Sequence, residues 1–279
     1  MQYKVPFSQK LIPFLQEKVG ACYSGKSLRK VLEANCCKVN GKIERFGSAV
    51  VEKGDLVELI SGWEKRVSQE KKKFSFEVLF EDEKSLWIDK PSGFICDPEH
   101  CLPYFGKNLQ LIHRLDRDTT GVLGFAKSEK VLTEWKELFR EKKVQKSYLA
   151  MVDGILAQPT GMIHNFLGKK GHFQGQTIWG SCPNGQEAIT HWEKISEGKK
   201  SSLLLCKPVT GRTHQIRVHL KEMGHPILID RQYASVFKSS YPAPRVLLHA
   251  LELETTFLKV SAKIPQDLQE AIEWMQSAS

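Results

Sequence analysis

Three side chains far apart in the sequence, Asp116, Tyr148 and Arg217, could together act on a glycosidic bond. They supply a carboxylate, a phenol and a guanidinium, and a second guanidinium, Arg114, lies two residues from the carboxylate. A carboxylate can attack an anomeric carbon as a nucleophile. An Arg paired with it favours its charged form. A Tyr can stack on a base and accept a proton late in such a reaction. The set suits that chemistry better than phosphoryl transfer, because the sequence holds no glycine-rich phosphate loop. Taken singly, the three are equally a turn Asp, a core Tyr and a surface Arg.

The elements around them must bring them together. Asp116 lies in His113–Gly121, a charged loop between apolar Leu111-Ile112 and the run Val122–Ala126. Loops pinned on a rigid scaffold often carry chemistry, although a solvated turn has the same pattern. Tyr148 sits in Lys146–Val152, an expected strand closed by Gly154. Arg217 falls in Gly211–Leu220, an expected helix with Ile216 and Leu220 inward and Gly224 as its stop. Ser128 is placed to cap a helix whose apolar face is Val131, Leu132, Trp135, Leu138 and Phe139. Its other face carries Lys130, Lys136, Arg140, Lys142 and Lys143.

Further strands are expected at Phe76–Phe80 and Leu86–Ile88, around a Glu81–Lys84 turn, and at Ala188–Ile195 and Leu203–Leu205. Val246–Leu251 reads as the last core strand and Asp267–Gln276 as a closing helix. Asn165–Gln186, rich in Gly and Lys, reads as an exposed excursion. Strands outnumber helices and follow one another like hairpins. The expected class is therefore α+β with a mostly antiparallel, mixed sheet.

The first sixty residues form a separate small α/β-type unit. Phe7–Val19 carries a helical stripe at Leu11, Phe14, Leu15 and Val19, and a second helix follows with Leu28, Val31 and Leu32 inward. Asn35 suits a left-handed helix end, and Asn40-Gly41 is a strong hairpin signal. Lys26, Arg29, Lys30, Lys38 and Lys42 cluster on the second helix and the hairpin. Such a cluster can track an RNA backbone or simply be a solvated face. The expected division is 1–62, a polar and basic linker over 63–75, and 76–279.

The net charge of +9 and the pI near 9.1 favour a polyanionic partner, nucleic acid before an acidic membrane surface. No apolar run approaches the ~20 residues of a membrane span, and the N-terminus lacks an apolar signal core. Seven cysteines without a Cys-x-x-Cys pair read as reduced thiols, so the cytoplasm is the expected compartment. No His/Cys group repeats a metal-ligand spacing, and no metal is expected.

Phe7 to Ser61 resembles the S-four-type (alpha-L) RNA-binding domain, on Gly25–Lys30, Val39–Lys42 and Val51 to Gly54-Asp55. It departs at Asn35, where Gly is usual, and at Lys10-Leu11-Ile12, where Arg-Leu-Asp is usual. From Phe76 onward the chain resembles the RluA family of RNA pseudouridine synthases. That resemblance rests on Asp89–Gly93, His113–Gly121, Lys146–Ala150, Thr210–Leu220, Gly224–Leu228, Asp230-Arg231, Tyr233 and Leu247–Ala250. Thr120 replaces a usual Ser, and Ile229 a usual Gly before Asp230.

The resemblance implies a pseudouridine synthase fold and isomerisation of uridine in RNA, without cofactor or metal. It implies Asp116 as nucleophile, Tyr148 as the active-site Tyr, Arg217 as the partner of Asp116, and Arg114 as the residue that enters the helix when the target nucleotide flips out. It leaves open direct attack on the sugar or elimination through a glycal. His113 and Thr119 are expected to shape the loop, Asp118 to support the turn, and His214 and His219 to be structural. Lys26, Arg29, Lys30 and Lys42 are the expected RNA contacts of the first unit. The expected substrate is large-subunit (23S) ribosomal RNA and the expected state a monomer. Transfer RNA is the rival substrate, and an inactive RNA-binding ribosome-assembly protein the rival class. A glycosidase or deaminase would need a second carboxylate acid or a zinc set, and neither is visible.

Overall fold

The computed structural model describes residues 1–20, 23, 25–63, 74–173 and 176–277, and divides the chain into Met1–Lys73 and Phe74–Ser279. In the first unit the expected helical stripes are the core. Leu11, Phe14 and Leu15 of α1 (Leu11–Val19) pack on Leu28, Val31 and Leu32 of α2 (Gly25–Glu33). Helix α1 starts four residues later than the stripe suggested, because Gln9-Lys10 pairs with Val50-Val51 as a two-stranded ladder. Asn35 adopts φ 58° just past α2. Asn40 (φ 50°) and Gly41 (φ 78°) turn Cys37–Val39 back onto Lys42-Ile43, the geometry of a tight hairpin turn. The Asn40 side chain also donates to Asp55 at 2.8 Å and accepts from the Leu56 N–H at 2.9 Å.

Of the linker, residues 64–73 lie outside the described residues, as does the side chain of Lys26. Trp63, assigned to the linker from sequence, is instead buried in the first unit's core. Its indole meets Tyr23 with ring centroids 4.8 Å apart.

The second unit is built on one eleven-stranded sheet. Its site-bearing strands are β1 (Ser85–Lys90), β2 (Thr120–Ala126), β3 (Gln145–Asp153), β4 (Thr160–Phe173), β5 (Gln176–Ser181), β6 (Gln186–Gly198), β7 (Ser201–Pro208) and β8 (Leu248–Glu254). They lie side by side in the order β5-β4-β6-β7-β3-β8-β2-β1. All pair antiparallel except β2 and β8. Where those two run parallel, Gly121 has φ 107°, and a Cβ there would stand 2.1 Å from the Ala250 carbonyl oxygen. Only glycine lets the strands approach so closely at the end of the Asp116 loop.

Ser128 caps α3 (Glu129–Arg140), accepting from the Val131 N–H at 3.3 Å. The Arg217 helix, α4, runs Gln215–Glu222. The sequence placed its start at Gly211. Residues 211–214 instead form a turn that ends at His214 with φ 57°, left-handed and outside any helix.

Asn165–Gln186 is corrected too, since most of it is the β4–β5 hairpin at the sheet edge. Two of its apolar residues, Leu167 and Trp179, pack with Ala188, Val218 and Tyr233. Too few apolar residues alternate there to betray a strand, because most of its described side chains are exposed or only half-buried. The core strand expected at Val246–Leu251 is β8, which begins at Leu248 and is followed by a further strand, Lys259–Ser261. The closing helix is Gln266–Gln276.

Candidate active site

The loop 112–119 is fastened from below before any substrate group meets it. Lys90, at the end of β1, has no solvent exposure, and its ammonium donates to the carbonyls of Pro91 (2.9 Å), Phe94 (2.9 Å) and Arg117 (2.8 Å). Burial lowers its pKa from 10.5 to about 8, since among the described residues no carboxylate balances the charge at contact distance. Arg245 holds the loop from another side. It donates to the Asp118 carbonyl at 3.2 Å and grips Asp267 with two bonds of 2.6 and 2.9 Å. His113 packs between Trp87 and Phe139 and accepts the Gly124 N–H at 3.3 Å. Burial lowers its pKa to about 4, so it shapes the loop as a neutral imidazole. Thr119 is buried, and its N–H donates to the Asp116 carbonyl at 3.1 Å.

Asp116, thus presented, accepts from Arg217 Nη1 at 3.1 Å across 101 residues of sequence. The Asp118 carboxylate, two residues on, pairs with its neighbour Arg117 at 3.1 Å. The same guanidinium is clamped behind by Asp230, with Nε and Nη2 each 2.7 Å from a carboxylate oxygen, and by Gln232 Oε1 at 2.7 Å. It lies 5.1 Å from the centroid of the Tyr233 ring. Burial opposes its charge, but Asp230 and Asp116 more than offset this, and its pKa is raised. A bidentate fork fixes the plane of a guanidinium. The third edge is therefore aimed at Asp116 by the clamp and not by Asp116 itself.

Tyr148 sits on β3 at a bulge between Ser147 and Tyr148, and packs between two core clusters. Burial, and then the charge of Asp116, push its phenol well above the ordinary range. It meets a substrate as a neutral phenol and not as a resting phenolate. Arg114 is exposed at the cleft and makes no ion pair among the described residues. The structure thus brings Asp116, Tyr148, Arg217 and Arg114 to one cleft of about 1540 Å³. Arg29, Lys30 and Lys42 belong to the other unit, where all three are exposed.

Three residues of the centre have no role assigned from sequence: Asp230, Gln232 and Tyr233. A fourth, His214, reads from sequence as structural. Its Nε2 is 3.8 Å from Asp116, and its Nδ1 is 2.7 Å from the Tyr233 hydroxyl. Burial lowers its pKa below 6.5 despite Asp116. His219 does have a structural setting, buried between Thr190 (3.0 Å) and Asn165 (2.9 Å). Asp230 is presented by Ile229, which adopts φ 61°. A β-branched residue pays about 1–2 kcal/mol in that left-handed region, which explains why glycine is the expected residue there. The Asp230-Arg231 and Tyr233 positions were within reach of the motif reading, but nothing in them announced a partner at residue 217.

Nine Lys and Arg line the cleft against three carboxylates, Asp97, Glu99 and Asp116. Such walls attract a polyanion. Among the described residues no group of His, Cys, Asp and Glu is arranged to hold a metal, and no helix is long and apolar enough to cross a membrane.

Comparison with known proteins agrees with this geometry. Residues 84–222, which contain Asp116, Tyr148 and Arg217, match the RNA pseudouridylate synthase family. The chain belongs to that family. It is 32% identical over 223 residues to a ribosomal large subunit pseudouridine synthase C of Vibrio cholerae, covering 72% of this chain and 70% of the relative. It is 36% identical over 193 residues to the Buchnera aphidicola protein of the same name, covering 63% of this chain and 61% of that one. Among solved structures, human RNA pseudouridylate synthase domain containing 4 has the same fold, with a TM-score of 0.60 at 24% identity over 72% of this chain and 93% of the other. These likenesses support an α+β pseudouridine synthase fold and an RNA-modifying isomerase.

Proposed function

We propose that this protein isomerises uridine to pseudouridine in large-subunit ribosomal RNA, with Asp116 as the nucleophile. The observation that carries the reading is the Asp230–Arg217–Asp116 chain, which aims a clamped guanidinium at one carboxylate of a charged loop and leaves the other out. The names of the relatives support the ribosomal substrate. Tyr148 closes the floor beside Asp116 as a neutral hydrogen-bonding ring against which a base can lie. Exposed at the cleft and without an ion pair among the described residues, Arg114 takes the space left when the target nucleotide flips out, a step costing a few kcal/mol.

The first unit, with Arg29, Lys30 and Lys42 exposed, acts as an RNA-binding domain of the S-four type. We place its boundary with the catalytic domain in the basic 64–73 segment. The protein works in the cytoplasm, as a monomer and without cofactor. Mapping pseudouridines in cells lacking the gene tests the reading, with loss at one or more large-subunit rRNA positions as the expected result. Loss confined to transfer RNA moves the substrate, and no loss anywhere favours an RNA-binding assembly role.

A further inference from the structure

The cleft holds a second cationic centre that the Asp116 chemistry does not use. Lys146 lies two residues before Tyr148 on β3, and among the described residues its ammonium makes a single hydrogen bond, to the Thr210 carbonyl at 3.2 Å. It stands 5.7 Å from the centroid of the Phe139 ring. A Cβ on Gly211 would lie 3.9 Å from it, so the ammonium rests against the turn before α4. Arg212 is the next residue of that turn. Its Nε is spent on the Glu187 carbonyl at 2.9 Å, whereas its two terminal nitrogens make no hydrogen bond among the described residues. Among the described residues, Arg212 is the charged group that opposes the Lys146 ammonium, and no carboxylate pairs with it.

The two like charges oppose each other, and burial strips water from the Lys146 ammonium. An anion placed between them would relieve both costs. Backbone carbonyls hold both in place, Thr210 under the ammonium and Glu187 under the guanidinium, with the Phe139 ring beside the ammonium. Their free donors line the same cleft as Asp116. We propose that Lys146 and Arg212 form a binding seat for a single phosphodiester of the RNA strand, flanking the nucleotide presented to Asp116.

The inference rests on RNA being the substrate, and it adds a positioning site to the reacting centre. A tetrahedral phosphodiester offers two free oxygens with one negative charge. One can accept from the ammonium and the other from the guanidinium, both as charge-assisted bonds. Burial together with Arg212 has lowered the Lys146 ammonium to about 8. An anion on the seat relieves that cost, and the relief appears as affinity.

The test uses the full chain with two probes: a uridine-containing single-stranded oligonucleotide, and a 23S ribosomal RNA transcript tritiated at carbon-5 of uridine. Lys146→Gln and Arg212→Gln are each expected to weaken oligonucleotide binding about tenfold at moderate salt. Each should flatten the plot of log affinity against log salt by about 0.7, the value of one phosphate contact on a single strand. On the transcript, KM rises by a similar factor while kcat changes little. Lys146→Arg keeps the slope. If Lys146 serves only to hold the Thr210 carbonyl, Lys146→Gln lowers the melting temperature and leaves slope and KM at wild-type values, and the proposal is overturned. A wild type that releases no tritium from the transcript removes the ribosomal reading instead, and the salt slopes on the oligonucleotide still decide whether the seat exists.

Discussion

Arg217 and Arg212 are five residues apart and open on the same cleft, yet they are opposite kinds of arginine. The Arg217 side chain is about nine-tenths buried, and its donors go to Asp230, Gln232 and Asp116. Arg212 spends one donor on a carbonyl and leaves its ends open. The first is a fixed electrostatic part, its orientation settled before substrate arrives. The second is an unfilled one, with its binding capacity in reserve. Residue type does not distinguish them, since both sit in one Gly-Arg-x-His-Gln-x-Arg stretch. What separates them is whether a buried carboxylate stands behind the guanidinium.

The largest effect expected is at the end of the fixed chain. Asp116→Asn keeps the size of the side chain and its place on the loop but removes the nucleophile. Turnover should fall by about 10⁴-fold or more, measured as tritium release from carbon-5-labelled RNA. RNA binding should stay within a few-fold of wild type. The melting temperature should also hold, because Asp230 and not Asp116 supports Arg217. A strong loss of stability would mean that Asp116 is a structural partner and would dissolve the distinction drawn between the two arginines.

Arg217→Met against Arg212→Met tests the comparison directly. Asp230 is 1% exposed. Without Arg217 it becomes a buried charge with no cation paired to it among the described residues, which costs about 3–5 kcal/mol. Arg212→Met forfeits one bond to a carbonyl, about 1 kcal/mol. Urea denaturation of both variants gives the difference. Equal costs would refute the idea that one arginine is structural machinery and the other is not.

Why the sequence yielded one end of this chain and not the other has a physical reason. Asp116 stands out because a charged loop between two apolar runs violates the pattern of its surroundings. The α2 stripe, the Ser128 cap and the Asn40-Gly41 turn were legible because each is a local rule about spacing or backbone sign. Asp230, Gln232 and Tyr233 follow no local rule. Their significance is a contact with residue 217, and contacts between distant segments leave no period in a sequence. The helix carrying Arg217 was placed four residues early because Gly211–His214 has the polarity of a first turn. The left-handed backbone at His214, invisible in composition, ends that possibility. The β4–β5 hairpin was read as an excursion for the converse reason, its side chains being too polar to mark strands that the ladder hydrogen bonds nonetheless form.

Lys90 sharpens the contrast from beneath the loop. It is a buried cation like Arg217, but it is satisfied by three carbonyls and no carboxylate. Lys90→Met takes one donor from each of those carbonyls, of which Arg117 keeps the Gly93 N–H at 2.8 Å, and should cost about 2 kcal/mol. The pH dependence has a definite sign. The ammonium titrates near 8 in the fold and near 10.4 when unfolded. Between those values the unfolded chain binds the extra proton, so wild-type stability rises with pH across that window. Lys146, also near 8 in the fold, contributes with the same sign. Lys90→Met should therefore show a smaller rise from pH 8 to 10 than wild type, followed by chemical denaturation. A rise of equal size would mean that Lys90 is not the buried titrating group.

The smallest effect separates support from chemistry at His214. The Tyr233 hydroxyl lies 2.7 Å from His214 Nδ1 and accepts the Trp179 N–H at 3.3 Å, while its ring faces Arg217. Tyr233→Phe keeps the ring, and so keeps the packing on the guanidinium, but strips the imidazole of its fixed partner. Stability should fall by about 1 kcal/mol. If His214 merely fills the turn before α4, turnover at saturating RNA stays at the wild-type rate and only the melting temperature moves. If its Nε2, 3.8 Å from Asp116, helps to hold the carboxylate, kcat falls several-fold with KM unchanged. The second outcome is expected, because the left-handed backbone at His214 positions the ring and its hydrogen bond to Tyr233 turns Nε2 toward Asp116. The fixed part of the cleft would then extend from Asp230 through Arg217, Tyr233 and His214 to the nucleophile, with the open seat at Arg212 beginning two residues before the imidazole.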